Sequence, residues 1–407
     1  MKYQGKLIKV ISEYILVKEI NKDEISKNIL TINSKTGELF ITKEILNELL
    51  TNENVYKNMH RELGNLSKLK FNKNIILIES YQRTKNNRYI ITEYCNGGNL
   101  KDFQTFYINK NKKQFNEKFI QNTVSQIVSG LESMHEYNII HRQLCLKNIF
   151  INFTKYKNYL VNGNLPPKIN YSDINLDSEQ WDFCIKIGNF FQSKNIENSK
   201  INSVYGNDLN LISPEIFDNI KQRESNSNIN LNIDDKYDMW GLGIITYQLL
   251  TGKIPFQDNK SEQIDDKNIK GLYTFPKNVK ISVEIISFIG KLLQYYSDKR
   301  MDLVEIKEHP FLKNNVNDFN YIEFNEENKI EINIKENNID NIINKLLNKG
   351  ENDENKNDRN YENELKNKDD EINKLKQEII ELNKQNEKEM NNFEKELHEI
   401  KSMMQQL

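Results

Sequence analysis

His141-Arg142-Gln143-Leu144-Cys145-Leu146-Lys147-Asn148 runs into a strand-like segment at 148–152. A second such segment at 183–187 leads into Lys186-Ile187-Gly188-Asn189-Phe190-Phe191. Residues 154–180 between them are polar and contain Pro166-Pro167, so they read as an insertion in a hairpin. Upstream, from Tyr14 to Tyr94, the pattern is strand-rich, with short β-type runs at Leu39-Phe40-Ile41-Thr42 and Tyr89-Ile90-Ile91-Thr92. Between those runs Val55, Met59, Glu62, Leu63 and Leu66 recur at helical spacing. Downstream, from Asn116 to Leu312, helical patterns dominate. Phe119, Val124, Ile127, Val128, Leu131 and Met134 form one apolar stripe, and 239–250 is almost wholly apolar, which predicts a buried helix. A β-rich block followed by a helix-rich one predicts an α+β fold with two lobes.

Composition narrows the function classes. Among 407 residues, 57 Lys and Arg nearly balance 59 Asp and Glu, for a net charge of −2, so there is no global pull toward nucleic acid. Cys95, Cys145 and Cys184 have no zinc or redox spacing, and no stretch approaches a membrane span. The N-terminal residues lack the apolar core of a secretory signal. These features predict a cytoplasmic protein. The chain has 63 Asn and no Ala, a bias typical of AT-rich codons. A missing Ala or Gly therefore carries little functional meaning here, whereas a missing Asp carries more.

The order of short motifs resembles the protein kinase family over residues 14–312. Gly37-Glu38-Leu39-Phe40-Ile41-Thr42-Lys43 resembles the strand that ends in a phosphate-binding Lys, and Glu62 stands where the family places its helix Glu. Glu93-Tyr94-Cys95-Asn96-Gly97-Gly98 resembles the hinge, with Thr92 as gatekeeper. The stretch 141–148 is similar to H-R-D-L-K-x-x-N, and Asn189-Phe190-Phe191 stands at D-F-G. Ser213-Pro214-Glu215, Asp238-Met239-Trp240-Gly241-Leu242-Gly243, Lys299-Arg300 and His309-Pro310-Phe311-Leu312 follow in order. The resemblance implies a two-lobed fold with a β-rich N-lobe at 1–93 and a helical C-lobe at 94–315, carrying the 154–180 insertion. It further implies nucleotide contacts at Lys43, Glu62, Thr92, Glu93, Cys95, Asn148 and Asn189, with metal contacts at Asn148 and Asn189. His141, Arg142, Glu215, Asp238 and Arg300 fall at architectural positions, the Glu and Arg as an ion pair.

Several of these positions depart from the family pattern. Phosphoryl transfer depends on positioned phosphates, metal ions and an oriented nucleophile. The catalytic Asp is Gln143, and an amide cannot act as a base. The metal-binding Asp is Asn189, a poorer ligand for Mg²⁺ than a carboxylate. The Lys after the catalytic position is Cys145, and Phe191 replaces the last glycine of D-F-G. No glycine lies between Gly5 and Gly37, so the glycine-rich loop is replaced by Asn21-Lys22-Asp23-Glu24-Ile25-Ser26, whose acids oppose phosphate. Ile41 and Phe150 are positioned to crowd the adenine slot, while the Lys43–Glu62 pair survives to hold the helix. These changes predict a pseudokinase that binds ATP weakly, makes little use of Mg²⁺, and acts as a scaffold or allosteric regulator of a protein partner. The alternative is an active Ser/Thr kinase with a divergent mechanism.

Beyond Leu312, the alternation of Ile322, Phe324, Ile330, Ile332 and Ile334 predicts a hairpin, and Ile339, Ile342, Ile343, Leu346 and Leu347 predict a short helix, together spanning 316–350. Residues 351–407 read as a charged linker and a coiled coil. Leu365, Ile372 and Ile379 form one seam position and Leu375 and Leu382 the other. After a four-residue stutter, Met390, Leu397 and Met404 pair with Phe393, Ile400 and Leu407. This array predicts a homodimer through residues 361–407.

Overall fold

The computed structural model describes residues 9–161, 183–195, 211–216, 234–256, 271–277, 279–324, 331–336 and 339–344, with a few positions in 2–7 and 164–176. Strands β1 (Lys2–Tyr3) and β2 (Lys6–Leu7) pair as a small hairpin. A six-stranded antiparallel sheet follows, built from β3 (Lys9–Ile11), β4 (Tyr14–Lys22), β5 (Ser26–Asn33), β6 (Leu39–Leu46), β7 (Ile78–Arg83) and β8 (Asn87–Glu93). Their order is β3-β4-β5-β6-β8-β7. Helix α1 (Glu53–Leu69) begins where the Asn52 side chain accepts the N–H groups of Asn54 and Val55, satisfying donors that a helix start leaves open. Met59 on α1 packs into a buried cluster with Ile45, Ile90 and Phe191. Alternation along the strands sends Ile11, Leu16, Ile29 and Tyr89 into a separate cluster. The register pairs Lys43 with Ile90 and Ile41 with Thr92, so the middle of β6 lies against the strand that enters the hinge.

The helical part contains α2 (Leu100–Asn111), α3 (Glu117–Glu136), α4 (Lys236–Thr251), α5 (Val283–Leu292), α6 (Leu303–Glu308) and α7 (Pro310–Lys313). Every residue of α4 from Asp238 to Thr251 is buried, as its continuous apolar run requires. Two glycines allow this depth. A Cβ on Gly241 would come within 2.9 Å of the Leu144 carbonyl, and one on Gly243 within 2.8 Å of Leu293. Four short strands also lie in this part of the chain: β9 (Ile139–Ile140), β10 (Ile149–Phe153), β11 (Phe183–Ile187) and β12 (Lys194–Asn195). β10 and β11 pair antiparallel, with residues 154–182 between them.

The predicted hairpin at 320–335 is corrected. β15 (Tyr321–Phe324) pairs with β14 (Val279–Ser282), and β16 (Glu331–Asn333) pairs with β13 (Leu272–Thr274). Alternation reports which residues face a core but not which strand lies alongside. Here the better partners are strands from earlier in the chain. Phe324 packs against Phe275 with ring centroids 5.6 Å apart, and Ile332 and Ile334 are buried. Residues 339–344 are helical, and Ile339 fills the groove left by Gly290 on α5. The compact unit extends to Ile343. Leu346, Leu347 and the heptad array lie outside the described residues. Among the described residues no helix is long and apolar enough to cross a membrane.

Candidate nucleotide cleft

Lys43 projects from β6 toward α1, where its Nζ donates to both Glu62 carboxylate oxygens at 2.7 and 2.9 Å. Glu62 is nearly fully buried, so this ion pair anchors the helix to the sheet. The same ammonium lies 3.5 Å from Asn189 Oδ1 and 5.5 Å from the centroid of the Phe191 ring. Lys43 is thus surrounded by a carboxylate, an amide oxygen and an aromatic face.

Asn189 sits in the left-handed region at φ 60°, at the start of the 3₁₀ turn Phe190–Gln192. Its Nδ2 donates to Asn148 Oδ1 at 3.0 Å, and Asn148 Nδ2 donates to the Gln143 carbonyl at 2.8 Å. The two predicted metal ligands are therefore hydrogen-bonded to one another. A divalent cation between them would find neutral oxygens only, each already facing an N–H donor. This pair does not fit Mg²⁺. Among the described residues, no group of three or more His, Cys, Asp or Glu is placed to hold a metal ion.

The turn between β4 and β5 carries a similar internal arrangement. Asp23 Oδ1 accepts the backbone N–H groups of Ile25 and Ser26 at 2.9 and 2.6 Å, and the carboxylate also takes the Ser26 hydroxyl. By charge alone, Asp23 opposes phosphate. In the structure it also consumes backbone donors. The spacing of Asp23 before Ser26 was the available signal, since Asp caps its own turn in this way. The packing of Phe191 against Lys43 had no such signal.

At the hinge, Thr92 Oγ1 lies 3.4 Å from the Ile41 carbonyl, across the pair of strands that line the cleft. The Glu93 carboxylate is tied to Lys186 Nζ at 2.7 Å and to the Leu77 N–H at 2.6 Å. That ion pair links the hinge to β11. Cys95 is buried, and burial pushes its thiol well above the usual range, so it is a packed, protonated side chain. Phe150 contacts Gly188, where a Cβ would come within 2.8 Å of the ring.

Below the cleft, buried His141 places its Nε2 2.9 Å from the Gly188 carbonyl, which fixes the proton on that nitrogen. Burial lowers its pKa, and the neutral ring packs edge-on against Phe190 at 5.1 Å. The backbone N–H groups of His141 and Arg142 both donate to the Asp238 carboxylate, at 2.8 and 3.0 Å. Burial alone would raise that carboxyl. The His135 hydrogen bond, with help from His141, outweighs burial and holds it below its ordinary value. Arg142 Nε donates to the Gln192 carbonyl at 2.6 Å. Farther away, Arg300 meets Glu215 through two parallel hydrogen bonds, at 2.7 and 2.5 Å, and lies over the Trp240 ring.

This architecture coincides with a family match. Residues 14–312 match the protein kinase domain. The chain belongs to the protein kinase family. Similar proteins include the Aurora kinase of Eremothecium gossypii, 25% identical over 75% of this chain and 70% of that protein. Myosin light chain kinase A of Dictyostelium discoideum is 27% identical over 74% of this chain and 88% of its own length. The human serine/threonine-protein kinase ULK1 is 27% identical, but the chain spans only 21% of that protein's length. Within this protein kinase fold, Lys43, Glu62, Asn148 and Asn189 converge on one corner, with Gln143 beside them. Thr92, Glu93 and Cys95 line the hinge, and Glu215 and Arg300 lie apart.

Proposed function

We propose that this kinase-fold domain does not transfer phosphate and serves as a scaffold or allosteric regulator of a protein partner. Its heptad segment at 361–407 would supply self-association. The observation that carries this reading is the Asn189–Asn148 hydrogen bond: the positions that would hold a metal are closed on each other by neutral amides. Gln143 adds a second deficit, because an amide accepts no proton at neutral pH. The occupied donors at Asp23 and the encircled Lys43 leave phosphate groups little to bind. ATP, if it binds, does so weakly.

Thermal shift with ATP, alone and with Mg²⁺ or Mn²⁺, tests the reading, since a ligand for the native state raises the melting temperature by mass action. Little change with or without metal supports it. A strong metal-dependent shift favours the second reading, an active Ser/Thr kinase with a divergent mechanism. The intact Lys43–Glu62 pair is the observation on that side.

A further inference from the structure

The insertion between β10 and β11 begins with an arm, residues 154–161, that reaches back to the N-terminal sheet. Tyr159 lies opposite Glu38 in an antiparallel bridge. The Leu39 N–H donates to the Asn158 carbonyl, and the Leu160 N–H donates to the Gly37 carbonyl, each at 2.8 Å. Gly37, at φ +76°, makes the turn that presents this edge, and the Leu160 side chain packs over the space its missing Cβ leaves.

The base of the arm is fixed by three asparagines. Asn158 Nδ2 donates to the Tyr94 carbonyl of the hinge at 3.0 Å and to Asn152 Oδ1 at 2.9 Å. Asn96 Oδ1 accepts the Phe153 N–H at 2.8 Å, while its Nδ2 reaches the Phe153 and Tyr156 carbonyls and Asn158 Oδ1. One end of the arm thus holds the start of β6, the strand that carries Lys43. The middle holds the hinge, and the other end continues from β10 in the C-lobe. A rotation of one lobe against the other about residues 94–96 would work against either the backbone bonds at Leu39 and Leu160 or the asparagine bonds at the base of the arm.

We propose that residues 154–161 are an interlobe clasp, which sets the angle between the lobes without a ligand in the cleft. This goes beyond the reading of the domain as inactive and does not depend on it. An inactive domain and an active one would both be restrained by the clasp.

Two experiments on the full chain test it, and neither reads phosphate transfer. The first is the double variant Glu38→Cys with Tyr159→Cys. Bonds at the flanking residues make 38 and 159 a non-hydrogen-bonded pair, with Cα atoms roughly 4.5 Å apart, within disulfide reach. Mild oxidant should convert most of the protein to the 38–159 cross-link, identified by peptide mapping against Cys95, Cys145 and Cys184. Free thiols at 38 and 159 in a folded protein would overturn the clasp. The second is Leu160→Pro, which removes one donor. Hydrogen exchange at Leu39 should speed up by about tenfold or more, with α3 amides unchanged. Unchanged exchange at Leu39 would also overturn it. Should Leu160→Pro unfold the domain, fast exchange at α3 reveals it, and the cross-link decides.

Discussion

Asn189 donates its side-chain amide to Asn148, and through this bond the two positions at which the family resemblance implied metal contacts become partners of each other. With Lys43 held by Glu62 and faced by Phe191, this corner of the domain is stabilised by the protein's own groups.

Catalysis is the first consequence to check. In a radiolabel assay on itself and on generic protein substrates, the purified chain should show no transfer above background. Gln143→Asp should not restore it, because the metal pair and the β4–β5 turn remain as they are. Transfer by the unaltered chain that disappears in Lys43→Ala would refute the inactive reading.

Asn189→Asp tests the metal pair directly. A carboxylate next to Asn148 supplies the anionic oxygen that hard dications favour. The variant should gain a Mg²⁺-dependent thermal shift with ATP that the unaltered protein lacks. Ile41→Ala should strengthen nucleotide binding in the same assay if Ile41 narrows the slot. A variant that stays blind to Mg²⁺ would show that the amide pair is not what excludes the ion.

Glu215→Ala should destabilise the fold by about 3–5 kcal/mol, since it leaves the buried Arg300 guanidinium without its anion. Urea denaturation measures the loss. A change under about 1 kcal/mol would mean that the Trp240 face and nearby carbonyls suffice for Arg300.

His309 makes stability depend on pH. Burial first, and then Lys291, push its pKa down to about 4, so the folded state holds it neutral while the unfolded chain protonates near the ordinary value of 6.5. Between those values the unfolded state binds more protons. The contribution is therefore fully present above about pH 6.5 and is lost as pH falls toward 4. At roughly 1.4 kcal/mol per pKa unit, the loss is about 3 kcal/mol. The difference in stability between the protein and His309→Gln, measured across that window, should shrink with acidification. A constant difference would rule out the titration.

The full chain should be a parallel dimer, and cutting after Gly350 should give a monomer. Apolar residues spaced for a seam favour pairing, and Asn386 on that seam favours two strands in register. Light scattering on both forms decides. A full-length monomer at micromolar concentration would point to another protein's helix as the partner.

The fold was legible because its landmarks are residues with few substitutes. Gly241 and Gly243 admit close neighbours, Asp238 gathers two backbone N–H groups, and the run through Leu250 has no polar face to expose. The same landmarks, through the family resemblance, point to the candidate cleft residues. Their mutual bonds were not legible, because Asn189 and Asn148 are 41 residues apart and an amide gives no hint of whether it faces a ligand or another amide. The pairing of β15 and β16 was hidden for a related reason: period-two alternation names a face, and the partner is chosen by tertiary packing. In the insertion, polar composition concealed a backbone bridge between Tyr159 and Glu38 and the asparagine bonds that support it.

Asp23 has one more consequence. Its carboxylate is a tethered ligand for the Ile25 and Ser26 amides, present at an effective concentration that a short covalent link places in the millimolar range or above. A free anion must compete with it, and gains nothing by matching its charge. Small molecules meant to occupy this cleft should therefore be neutral, and those that owe their affinity to a phosphate-like group should be selected against.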